Sequence, residues 1–183
     1  RYEEMEHRIQ ALGGVVSGTV RLSSIYSVGM LELAPCLKTY LKAYPRVNFR
    51  LQYDQAQKIY DDVGNGEVDL GIVPYPRTQR NVEVIPFAES QMVVIAHPEH
   101  PLNEDGTITP KDLNKFPLIL FTPETPTRRA IDRFFRKYNV RPNIVMELDH
   151  IATIKHAVEV DIGVSIVPIN SIEQEIARKT LAY

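Results

Sequence analysis

The sequence predicts an α/β protein built on mostly parallel sheets. Three observations carry this: a strand–helix–strand signal in residues 18–74, alternation of short apolar runs with amphipathic helical runs as far as Pro168, and a length of 183 residues. That length suits one domain or two small lobes with a buried core, and alternating strands and helices imply parallel pairing.

Residues 18–22 read as the first strand, and Ser23-Ser24-Ile25-Tyr26-Ser27 is a cluster of hydroxyls where strand hands over to helix. Met30, Leu33, Ala34, Leu37, Leu41 and Tyr44 then recur at the one-face spacing of a packed helix. Tyr44-Pro45 stops that helix, because proline lacks a backbone donor and restricts its predecessor. Val47, Phe49, Leu51 and Tyr53 alternate with Asn48, Arg50 and Gln52, as a strand with unlike faces requires. A short helix and a strand over residues 68–73 follow, and residues 82–87 alternate like a further strand.

Residues 90–96 form an apolar run, and Thr109-Pro110-Lys111-Asp112 is a helix start with a hydroxyl cap and proline at the first helical position. Residues 118–121 read as a short buried strand. The spacing predicts an amphipathic helix over 127–138, with Ile131, Phe134, Phe135 and Tyr138 inward and the arginines outward. Residues 144–146 are a strand, 151–160 a helix, and 163–167 a strand that heads through Pro168. At the start, Met5, Ile9 and Leu12 share one face of a helix that Gly13-Gly14 would stop.

The formal net charge is −2, so the surface as a whole is not an electrostatic footprint for nucleic acid. Cys36 is the single cysteine, which excludes a disulfide framework within the chain and is consistent with a reducing cytosol. It is expected to pack as a small apolar residue. No apolar run reaches bilayer length and no secretory signal is visible, so no membrane partner is expected. No glycine-rich phosphate loop and no acid–base pair at catalytic spacing appear, so neither a cofactor nor an enzyme activity is expected. His97-Pro98-Glu99-His100 places two imidazoles in a proline-broken loop without a third ligand, the pattern of a solvated loop rather than a metal site.

The chemistry lies in the strand-to-helix turns. Ser24, Tyr26 and Ser27 carry hydroxyls in the first, Thr125 and Thr127 in a later one, and Asp149-His150 adds a carboxylate and an imidazole. Helix N-termini expose unpaired N–H groups and a partial positive charge, so two that faced each other would hold a small anion. Capping competes with that role: Thr127 reads as the N-cap of its helix, and Ser24 and Ser27 as cap or turn residues. Asp149 either caps the helix beginning near Ile151 or meets a cationic or donor group on a ligand, since an ionised carboxylate repels an anion.

Several blocks carry a family resemblance. They are Gly18-Thr19-Val20-Arg21-Leu22, the Leu33…Pro35…Tyr44-Pro45-Arg46-Val47 spacing, Gly66-Glu67-Val68-Asp69-Leu70-Gly71-Ile72-Val73, residues 87–98, Pro126-Thr127-Arg128-Arg129 and residues 154–168. In this order they resemble the effector-binding domain of LysR-type transcriptional regulators over most of residues 15–170. The resemblance implies two Rossmann-like lobes with mostly parallel sheets in a periplasmic-binding-protein-like (type 2) architecture. Residues 1–14 would end a linker helix, 15–88 form lobe I, 89–167 form lobe II, and 168–183 begin a shortened return to lobe I.

It also implies an effector, an organic or inorganic anion, held between the lobes by Ser24, Tyr26, Ser27, Thr125 and Thr127, with Asp149, His150 and Pro168 near the crossing strands. Asp149 departs from the neutral hydroxyl or amide that family members often carry there. Expected partners are a second copy of the chain in a homodimer or homotetramer, with Tyr40 either a contact or packed onto its own sheet, and DNA through a winged helix-turn-helix outside this chain. The expected compartment is cytoplasmic. The competing reading is the solute-binding protein of a transport system, which uses the same fold; the charged residues 1–12 argue against it.

Overall fold

Strand β1 (Ser17–Ser24) pairs in parallel with β2 (Arg46–Tyr53) along its whole length, from Ser17 opposite Arg46 to Ser24 opposite Tyr53. The structure is a computed structural model that describes residues 16–29, 33–103 and 108–183. The expected linker helix at residues 1–12 and the start of the first helix at Met30 lie outside them. The chain divides into two units, Arg1–Pro86 and Phe87–Tyr183.

In the first unit, a helical turn (Tyr26–Val28) and helix α1 (Ala34–Ala43) connect β1 to β2, and helix α2 (Ala56–Gly64) leads to β3 (Leu70–Ile72). The sheet order is β2-β1-β3, all parallel. Gly71 is required by close approach: a β-carbon there would meet Ile59 Cγ2 at 2.6 Å and Val63 Cγ2 at 2.9 Å. Ser23 stands opposite both Gly71 and Gln52 in register, and Gln52 donates to the Asp62 carboxylate of α2. This row therefore faces α2, while Ser24 and Tyr53 face the other side. The small core is Leu22, Val47, Ile59, Tyr60 and Val68.

The second unit holds β4 (Met92–Ile95), β5 (Pro117–Phe121), α3 (Pro126–Tyr138), β6 (Asn143–Leu148), α4 (Ile151–Glu159), β7 (Val164–Pro168) and α5 (Glu173–Arg178). The sheet order is β4-β7-β5-β6, with β4 antiparallel to β7 and the remaining pairs parallel. Leu118, Ile119 and Leu120 are fully buried because helices cover both faces of β5, and they join Ile154, Val158, Val164 and Val167 in one core. Each such side chain contributes roughly 1.5–3 kcal/mol.

Several expectations are corrected. Residues 82–87 form no strand: the contact there is an isolated bridge between Gln79 and Val82, and Ile85 and Phe87 are exposed. Alternation marks a strand only where a sheet edge offers hydrogen bonds. Thr109 and Asp112 do form a reciprocal cap, but on a 3-10 helix, Pro110–Lys115. The face of α1 expected to be buried is so only at its start, where Leu33 is buried and Leu37 half-buried; Leu41, Tyr44 and Cys36 are exposed. Phe134 and Tyr138, expected inward, lie exposed against each other with ring centroids 4.9 Å apart.

Residues 168–183, expected to return to the first lobe, belong to the second unit. Ile172 and Leu181 enter its core, and Ala182 bridges to Ala96. Lys155 of α4 holds them there, donating to the Ser171 carbonyl and the Glu175 carboxylate, each at 2.7 Å.

Candidate functional site

Small ligands bind outside the C-terminal ends of parallel strands, where successive connections leave in opposite directions. In the first unit, β1 is followed by β2 on one side while β3 lies on the other. The switch point is thus the paired ends of β1 and β3, with Ser24 opposite Ile72. In the second unit, β5 has β6 on one side and β7 on the other, so the switch point is the end of β5 beside that of β7.

The first edge carries Ser24, Tyr26 and Ser27. Ser24 is fully buried and its hydroxyl donates to the Ile25 carbonyl at 3.0 Å, which shapes the turn. Ile25 N–H reaches back to the Ile72 carbonyl at 3.3 Å and ties β1 to β3. Tyr26 is exposed and meets the Tyr53 ring edge-on at 5.2 Å. Ser27 is half-buried in the helical turn.

At the second edge, the sequence reading misplaced one cap. The N-cap of α3 is Thr125, whose hydroxyl accepts from Arg128 N–H at 3.2 Å and donates to the Thr122 carbonyl at 2.9 Å. Pro126 fills the first helical position, where a missing N–H costs nothing. That puts Thr127 at the second position, buried, with no hydrogen bond to its hydroxyl among the described residues.

Arg128, expected to face solvent, is also buried. Its Nη1 donates to the Phe121 carbonyl at 2.8 Å and to Glu147 at 2.5 Å, and its Nε to Asp132 at 2.9 Å. Burial opposes the guanidinium charge, but the bonds to Glu147 and Asp132 outweigh it and raise its pKa above the ordinary value. Arg128 is the residue that sequence reasoning missed. Its partner Glu147 stands nineteen positions away on β6, and no local pattern reveals it.

Asp149 and His150 follow β6 at the same edge. Asp149 caps nothing: the N-cap of α4 is His150, which makes no side-chain cap bond. The Asp149 carboxylate is 69 % exposed and lies 3.7 Å from His150 Nε2. Pro168 ends β7 and its carbonyl accepts from the Ser171 hydroxyl at 2.5 Å. Thus Thr125, Thr127, Asp149, His150 and Pro168 share one edge of the second sheet, and Ser24, Tyr26 and Ser27 share one edge of the first. His97 and His100 bond locally, each Nδ1 accepting from a nearby backbone N–H. Among the described residues no three His, Cys, Asp or Glu side chains are grouped to hold a metal ion, and no helix is long and apolar enough to cross a membrane.

Comparison with known proteins gives one consistent result. The LysR substrate binding domain family matches residues 13–183. The HTH-type transcriptional activator CmpR of Synechocystis sp. is 29% identical over 173 residues, covering 94% of this chain and 57% of that protein. The chain thus spans a little over half the length of the curated relatives it matches. Among solved structures, the regulatory domain of Synechocystis CcmR in complex with 2-PG is 27% identical with a TM-score of 0.81, over 91% of this chain and 79% of that one. The effector-binding domain of QuiR with shikimate, at 24% identity, shares the fold with a TM-score of 0.80 over 91% of this chain and 79% of that one.

Proposed function

This chain belongs to the LysR substrate binding domain family, and on that premise we propose that it is the effector-sensing part of a LysR-type transcription regulator. It is not an enzyme and works in the cytoplasm. The effector is a small anionic metabolite, of the kind the CcmR regulatory domain holds as 2-PG. The observation that carries this reading is the second sheet edge. Thr125 caps α3 and leaves the Thr127 hydroxyl and amide on the first helical turn, at the β5–β7 switch point, with no capping role.

Arg128 does not supply the charge for this anion, because Asp132 and Glu147 already neutralise it. Its part is to fix the first turn of α3 onto β5 and β6. Asp149 repels a second anionic group, so the effector presents a hydroxyl or amine toward it. To act as a signal, the effector binds one arrangement of the domain better than another by about 1–3 kcal/mol. The full-length protein passes that difference to a DNA-binding domain and assembles as a homodimer or homotetramer. The exposed rings of Tyr40 and Tyr44 in the first unit, and of Phe134 and Tyr138 in the second, are the contact surfaces.

A thermal-shift screen of organic acids tests the reading. A specific anion raises the melting temperature with occupancy, and Thr127→Ala weakens it by about tenfold, the loss of one bond to a charged group. If no anion stabilises the domain, or Thr127→Ala binds as tightly as the parent, the reading fails.

A further inference from the structure

The loop after β3 holds Arg77. Arg77 is exposed, yet three contacts fix it. Its backbone N–H donates to the buried Tyr60 hydroxyl at 2.8 Å, its Nη2 donates to Gln57 Oε1, and its guanidinium lies over the Tyr60 ring at 5.2 Å. The loop itself is stiff: Pro74 and Pro76 flank Tyr75, which is held at φ 49°. A non-glycine residue in that region persists only where its surroundings hold it.

Two other fixed arginines serve the chain's own acids, while Arg129 donates to the Glu124 carbonyl at 2.8 Å. Arg21 pairs with Asp69, and Arg128 with Asp132 and Glu147. Among the described residues Arg77 has no carboxylate partner. Its side-chain partner Gln57 in turn donates its amide to Asp61 at 3.0 Å. Asp54, just before α2, lies 3.7 Å from Lys58, which offsets its charge. A guanidinium normally spends its freedom in solvent; one immobilised without a counter-ion has the ordering cost of binding already met. Its remaining N–H groups form a planar fork that suits two oxygens of one anion.

Position supports the same conclusion. The loop leaves the C-terminal end of β3, which is the switch-point edge of the first sheet, and Gln57 stands in the first turn of α2. We propose that Arg77 is an anion-recognition residue of the first unit, taking a carboxylate or phosphate group through two parallel bonds. The inference rests on the effector-sensing reading and adds an anion contact on the first unit.

Titration of the domain with inorganic phosphate, and separately with acetate, followed by NMR of the Arg77 Nε–H and the Gln57 amide, tests it. The anion that matches shifts both signals saturably, and the two arms tell phosphate from carboxylate. Arg77→Gln raises the midpoint by about tenfold, and Arg77→Lys, which keeps charge but not the fork, recovers only part of it. Gln57→Ala keeps the charge, frees the guanidinium and also raises the midpoint. Shifts with neither anion, or an unchanged midpoint in Arg77→Gln, overturn the proposal. If Thr127→Ala weakens effector binding while Arg77→Gln does not, the sensing function stands and this assignment alone falls.

Discussion

Single residues show where the chain spends stability on its site and where it does not. Ser23 is fully buried against α2, and its hydroxyl has no partner among the described residues. An orphan buried hydroxyl costs about 1–3 kcal/mol, so Ser23→Ala is expected to raise stability in urea denaturation by about 1 kcal/mol; a loss would mean an unseen partner. Asp69 works the other way. Its carboxylate accepts from the side chain and the backbone N–H of Arg21, and these bonds hold its pKa below the usual carboxylate value. A depressed folded pKa adds stability that is complete above the unfolded value near 4 and is lost as pH falls through the folded one. Asp112, depressed by Lys115 and Thr109, adds to the same window. Acid titration followed by circular dichroism should show Asp69→Asn flattening the loss of stability below about pH 4; an unaltered profile would dismiss the Arg21 pair as its cause. The Asp69 side chain is 43 % exposed and that of Asp112 28 %, so salt screens part of the effect.

At the scale of elements, α3 shapes the second sheet edge. Thr125→Ala removes its cap and is expected to cost about 1 kcal/mol of unfolding free energy, whereas Thr127→Ala should cost less and act on ligand affinity. Equal stability losses in the two variants would return the cap to Thr127. The Thr125-Pro126-Thr127 sequence shows how far local reading reaches. Two hydroxyls flank a proline, and the preference of proline for the first helical position selects the earlier one. The period of two in β2 and the helical spacing of α3 were equally readable, because backbone geometry alone imposes them. Arg128 was not, since its burial depends on Glu147, a residue brought near by β-sheet pairing. Residues 82–87 misled for the converse reason: their alternation is real, but no neighbouring strand takes up their hydrogen bonds.

At the scale of the whole chain, the two units differ in how much core they own. The second unit joins β4, β5, β7, α3 and α4 in one continuous cluster, while the first rests on a few side chains around Ile59 and Tyr60. Hydrogen exchange should therefore find the β5 and β7 amides opening only with global unfolding and those of β1 and β3 earlier; greater protection in β1 would reverse that ranking. The reversal of residues 168–183 belongs to this scale too. Lys155 and Glu175 are twenty positions apart, and their joint burial, which keeps the end of the chain in the second unit, leaves no local trace. The most direct measurement is a crystal structure of the domain grown with the anion that gives the largest thermal shift. It should show that anion within hydrogen-bond distance of the Thr127 amide and hydroxyl. Density for it at any other place, with the first turn of α3 untouched, would contradict the account.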